Sequence, residues 1–170
     1  MNTCPECGCD RLVTTRRDGL SIAECDLCGA YVGDDRVIER LRTNELARAR
    51  GVDPALWKLV EQLRALPGLD VVSSDAGSVS QRSVPHVRVV LTGQRGVLGL
   101  ENVAKTLALG KSERQLSWGI DVEFDRGLCF TLKPRVNCSI DAQVLARARQ
   151  DAERLGEEIQ RNRALSWWRL

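Results

Sequence analysis

An α+β fold is predicted in two parts: a short hairpin held by cysteines, then a two-layer sandwich. The sandwich has a four-stranded, mainly antiparallel sheet, helices on one face and a long C-terminal helix. Three observations lead there. Two CxxCG knuckles, CPECG at Cys4 to Gly8 and CDLCG at Cys25 to Gly29, bracket the first part. From Pro54 onward the apolar period alternates in the order helix, strand, strand, helix, strand, strand, helix, the pattern of a sheet with its helices segregated to one face. The last of these helical patterns, from about Ile140 to Leu165, is the longest.

Each knuckle turns two sulfurs toward one point while its glycine relaxes the backbone behind them, so Cys4, Cys7, Cys25 and Cys28 together form a tetrahedral set. Four thiolates leave no open position, which makes the expected ion, Zn2+, structural rather than catalytic. Between the knuckles, Leu12 to Thr15 and Leu20 to Ala23 read as strands joined by a tight Asp18-Gly19 turn. So few apolar residues cannot hold this unit without the metal. Two disulfides are the alternative. Seven cysteines, an odd count, and a start that runs straight into a ligand with no signal-peptide pattern favour a reducing cytoplasm and zinc. Cys9, just past the first knuckle, is either a spare thiol or a substitute ligand.

Residues 1–33 resemble the zinc-ribbon superfamily through CPECG and CDLCG. The resemblance implies a structural zinc. It leaves the role open, since such ribbons occur in transcription factors, polymerase subunits, ribosomal proteins and adaptors.

Charge is distributed unevenly along the 170 residues, although the formal net is only +2. Residues 1–35 carry three arginines against seven acidic side chains, and a Cys4 zinc centre would add two further negative charges, so this part is a poor grip for phosphate. The rest of the chain, with 43 % hydrophobic residues overall, has enough apolar material for one sizeable core. No apolar run approaches the ~20 residues that cross a bilayer, so a soluble, cytoplasmic protein is expected without membrane contact.

The organisation expected is a ribbon over 1–33, a linker helix over 34–51 and the sandwich over 52–170. Asp34-Asp35 caps the linker helix and Gly51 stops it. At about 100° per residue, Val37, Ile38, Leu41 and Ala49 share one side, while Arg36, Arg40 and Arg50 gather on another around Thr43 and Ala47. Asp53-Pro54 starts the next helix and Pro67-Gly68 ends it, with Leu56, Leu59, Val60, Leu63 and Leu66 as its apolar stripe. Strands follow at Leu69 to Ser73 and His86 to Thr92, separated by a polar loop. Gly93 to Gly96 reads as a turn before a helix from about Leu98 to Leu109. Leu116 to Phe124 alternates Leu116, Trp118, Ile120, Val122 and Phe124 on its core face, and Leu128 to Lys133 repeats the pattern until Pro134 ends it. The last helix, at ~1.5 Å per residue, reaches ~39 Å and overhangs a strand of ~30 Å. Its Ala148, Ala152 and Gly156 would admit a second backbone, either the domain's own in packing across its sheet or that of a second copy in a homodimer.

Three functional readings follow. The first is a non-enzymatic binding or adaptor protein that contacts a protein partner or a second copy, with the terminal Trp167, Trp168 and Leu170 as anchors. The alternative is an RNA- or DNA-binding module using Arg36, Arg40 and Arg50 with Arg16 and Arg17 at the hairpin. The third is an RNA-modifying enzyme. It rests on Leu66-Pro67-Gly68, the loop Ser73-Ser74-Asp75-Ala76-Gly77-Ser78 and the following HVRVVL. These resemble the wybutosine-synthesising tRNA methyltransferase family, in which a short strand leads into an SSCSG-type loop. Asp75 and Ala76 stand where that loop has cysteine and serine. No phosphate-binding glycine motif is present, and the lone His86 has neither an orienting carboxylate nor a nucleophile at recognisable spacing, so no catalytic residue is assigned.

Overall fold

The computed structural model describes residues 3–110, 114–124 and 127–164. The chain divides into two compact units, Met1–Arg50 and Gly51–Leu170.

In the first unit, strands β1 (Leu12–Arg17), β2 (Leu20–Cys25) and β3 (Tyr31–Val32) form an antiparallel sheet in that order. The β1–β2 turn places Asp18 at φ 52° and Gly19 at φ 77°, the two left-handed residues that let a two-residue turn follow the twist of the strands. Strand β3 was not expected: two residues are too few to show alternation, and they are recruited by pairing Val32 with Ala23 and Tyr31 with Glu24. Helix α1 (Asp35–Ala49) begins where the Asp34 carboxylate accepts the Arg36 N–H at 2.8 Å. It falls within this unit, which runs to Arg50. Its buried residues are Leu41 and Ala47; Ala49, expected on the apolar side, is exposed.

The second unit opens with a 3-10 turn (Pro54–Leu56), capped by Asp53, that runs into helix α2 (Trp57–Arg64). Strands β4 (Leu69–Asp75) and β5 (His86–Leu91), helix α3 (Gln94–Leu109), strands β6 (Ser117–Phe124) and β7 (Leu128–Arg135), and helix α4 (Ala142–Ala164) follow. The sheet is wholly antiparallel in the order β4-β5-β7-β6. Register sets Val87 beside Leu132 and Val89 beside Phe130 on the helix side, where all four are buried with Leu56, Leu59, Val60, Leu63 and Val103. Ion pairs Arg88–Glu123 at 3.5 Å and Lys133–Asp121 at 2.7 Å cross the other face. One side is therefore core and the other wet.

Four local expectations are corrected. Helix α3 starts at Gln94, not Leu98, because Gly96 and Gly99 are packing residues and not turn residues. A Cβ on Gly96 would lie 2.4 Å from the Gly68 carbonyl oxygen, and one on Gly99 would lie 2.9 Å from Leu69 Cγ. Strand β4 extends to Asp75 through a bulge between Val71 and Ser73 that leaves Val72 exposed. Strand β7 runs through Pro134, which lies past the last pair with β5, Val87 and Leu132, so no ladder bond to β5 is lost there. On β6 the core face ends early: Trp118 is buried, but Val122 is 54 % and Phe124 83 % exposed.

Helix α4 buries the predicted stripe of Val144, Leu145, Ala148, Ala152, Leu155 and Ile159. The close approach that its small residues allow is used within the chain at Gly156, where a Cβ would sit 2.9 Å from the Leu59 nitrogen of α2. A polar seam ties α4 to the α3–β6 connection. Arg114 pairs with Glu158 at 3.0 Å, their side chains 1 % and 6 % exposed, and also donates to the Leu107 carbonyl at 2.6 Å. Asp151, fully buried, accepts the backbone N–H groups of Gln115 and Leu116 at 3.0 and 2.7 Å.

Candidate metal centre

The two knuckles have the same backbone. In the first, Gly8 N–H donates to Cys4 O at 2.9 Å and Cys4 N–H to Cys9 O at 2.8 Å; in the second, Gly29 N–H donates to Cys25 O at 2.8 Å and Cys25 N–H to Ala30 O at 2.9 Å. Both glycines are left-handed, at φ 73° and 71°. The turns bring the Sγ atoms of Cys4, Cys7, Cys25 and Cys28 within 4.8 Å of one another. Cys4–Cys28 and Cys7–Cys25 each stand 3.6 Å apart, too far for disulfides. Four sulfurs at ~2.3 Å from a central ion lie ~3.8 Å apart in a tetrahedron, so the spacing fits a metal ion. Among the described residues this is the one such group of cysteine, histidine and carboxylate side chains.

Backbone donors face the sulfurs. Cys25 is lowered to about 6, chiefly by the N–H of Cys28 and then, against burial, by that of Leu27. Cys7 is pushed up to about 12: the Cys9 amide, the largest influence on it, favours the thiolate, but the neighbouring thiols and burial outweigh it. Four such close groups cannot all ionise unless a cation balances them. Cys9 stays outside the set; its sulfur accepts the Arg11 N–H at 3.3 Å. Cys129 is buried and Cys138 exposed in the second unit.

The other predicted residues are dispersed. Arg16 is exposed on β1. Arg17, exposed as well, lies across the sheet surface, bonding Glu24 at 2.9 and 3.2 Å and lying 5.7 Å from the centre of the Tyr31 ring. Arg36, Arg40 and Arg50 are exposed, but Ala47 between them is wholly buried, so their arc is not one open face. Trp167, Trp168 and Leu170 lie outside the described residues.

The serine loop is occupied by its own structure. Asp75 accepts the Gly77 N–H at 2.7 Å, Ser78 and Ser80 share a hydrogen bond of 2.8 Å, and Arg149 donates to the carbonyls of Ala76 and Gly77, each at 3.0 Å.

Sequence reasoning missed a second cluster in the first unit. Asp18 at the hairpin tip accepts from Asn44 Nδ2 at 2.8 Å and from Arg48. Tyr31 donates its hydroxyl to Glu45, which Arg17 also approaches at 4.0 Å. The available signal was the one-turn spacing of Asn44 and Arg48 on a helix.

No family model matches the chain, and neither a curated protein nor a solved structure matches it. Among the described residues no helix is long and apolar enough to cross a membrane.

Proposed function

We propose that this chain is a zinc-ribbon binding protein of the cytoplasm, with Zn2+ held by Cys4, Cys7, Cys25 and Cys28 and with contacts to a protein partner or a second copy as its task. The observation that carries this reading is the closed set of four sulfurs, two pairs at 3.6 Å, which fills every tetrahedral position with protein ligands. An ion so enclosed stabilises structure and presents no place for substrate or water. The acidic character of residues 1–35 directs the choice of partner toward protein rather than nucleic acid. The RNA or DNA reading has weaker support, because Arg17 is already engaged with Glu24.

Metal content comes first: one zinc per chain is expected in protein purified without added metal, and less than a tenth of that in the Cys25→Ser variant. A salt series with generic RNA and DNA then separates the two binding readings. Binding that falls steeply with salt and disappears when Arg36, Arg40 and Arg50 become glutamine would overturn the protein-partner reading.

A further inference from the structure

We infer that occupancy of the cysteine site governs whether helix α1 is folded, and that Asp18, at the far end of the hairpin, is the latch that passes the metal state to the helix. This rests on the metal reading of the four cysteines. The cysteines and the latch occupy opposite ends of one ribbon. Cys25 pairs with Leu12 at the knuckle end and Leu20 with Arg17 at the turn, about 17 Å away.

Helix α1 has little of its own to hold it. Its 15 residues are marginal for an isolated helix in water, and only Leu41 and Ala47 are buried. Beside those two side chains, what fixes it to the sheet is polar: Asn44 and Arg48 on the Asp18 carboxylate, and Glu45 beneath the Tyr31 hydroxyl. Each sheet-side partner, the acceptor Asp18 and the donor Tyr31, sits where the sheet puts it, Asp18 in a left-handed turn and Tyr31 on the two-residue β3. The sheet in turn has a single buried aliphatic side chain, Ile22. Without the ion the strands lose register, Asp18 and Tyr31 leave their places, and α1 loses its anchors. A segment carrying five arginines, from Arg36 to Arg50, is then set free as extended chain. The site thus acts as a switch on the helix as well as a staple on the knuckles.

Hydrogen exchange of the full-length, zinc-loaded protein tests this, read at the amides of α1 before and after a chelator and again after zinc is returned. Protection in α1 is expected to vanish and return with the metal, while α2, α3 and α4 stay protected. Helix ellipticity should fall by about a quarter, since α1 supplies 15 helical residues against 8, 16 and 23 in the other three. In Asn44→Ala the zinc content should stay at one per chain while α1 amides exchange about tenfold faster. Alanine is the better helix former, so a mere propensity effect would run the other way. Bound zinc with α1 equally protected after chelation overturns the coupling and leaves the metal reading intact. Unchanged exchange in Asn44→Ala overturns the latch, and a protein that takes up no zinc overturns both the site and the switch.

Discussion

Replacing Glu158 by alanine should destabilise the second unit by about 3–5 kcal/mol, the usual cost of leaving one member of a buried ion pair alone. The geometry places this pair at the severe end. Arg114 is 1 % exposed, its Nη1 meets Glu158 at 3.0 Å, and its Nη2 already serves the Leu107 carbonyl, so the guanidinium cannot reach water when the carboxylate is removed. Glu158 also fills the space above Gly110, where a Cβ would have to displace its carboxylate. Urea unfolding followed by tryptophan fluorescence reads the right unit. All four tryptophans follow Gly51, and Trp57 and Trp118 are each 5 % exposed. With an m-value of about 1–3 kcal/mol per molar, the midpoint should drop by 1 M or more. The paired replacement Arg114→Met with Glu158→Leu should recover most of the loss, because two apolar side chains leave no stranded charge. A loss below about 1 kcal/mol for Glu158→Ala, or a double variant worse than the single one, would refute the buried-pair argument.

Other expectations follow from the same coordinates. Gly96→Ala should cost about 1–3 kcal/mol in the same urea assay, since its Cβ would lie 2.4 Å from a backbone oxygen that cannot swing away. Cys9→Ser should leave zinc stoichiometry at one per chain, whereas Cys7→Ser should abolish it; equal loss in both would place Cys9 among the ligands. Asp18 is held below the ordinary carboxylate range, first by its bond from Arg48 and then by Asn44. A carboxyl lowered on folding adds stability above its unfolded value near 3.9, and that stability is lost as pH falls through the folded value. Down to the pH at which the thiolates protonate and release the ion, the carboxyl carbon resonance of Asp18 should therefore stay that of the carboxylate, and an onset of protonation like that of an ordinary carboxyl would contradict the latch geometry.

Much of the architecture was legible because it is written in period and punctuation. The stripe Leu56, Leu59, Val60, Leu63 and Leu66 is buried as spaced, and Asp34 and Asp53 cap the helices they precede. The four cysteines converge because a knuckle is local: five residues and one glycine determine where two sulfurs point. What misled was residue chemistry with two uses. Gly93 and Gly96 both suggest a turn, yet only Gly93 has a left-handed φ, and Gly96 is a contact made possible by a partner 28 residues earlier. Phe124 and Val122 satisfy the alternation of a core strand, yet both side chains are left exposed at that end of the hairpin. The Asp18 cluster joins residues 26 and 30 positions apart, so the one-turn spacing of Asn44 and Arg48 shows that they share a helix face but not what that face meets.

The sheet order β4-β5-β7-β6 leaves two margins, and they are protected differently. Along β4 the bulge at Val72 interrupts the row of peptide groups, which spoils it as a template for another strand. Along β6 eight residues run unbroken to Phe124, with no bulge and no proline, so deterrence falls to charged side chains beside the edge, Asp121 paired with Lys133 and Glu123 with Arg88, which a second strand laid on that margin would have to desolvate. Lys133 holds the Asp121 carboxyl below its usual range, by hydrogen bond first and by charge as well. That guard therefore stays ionised into mild acid. How readily this unit associates through that margin thus depends on two ion pairs that belong to the sheet itself and not to the cysteine unit.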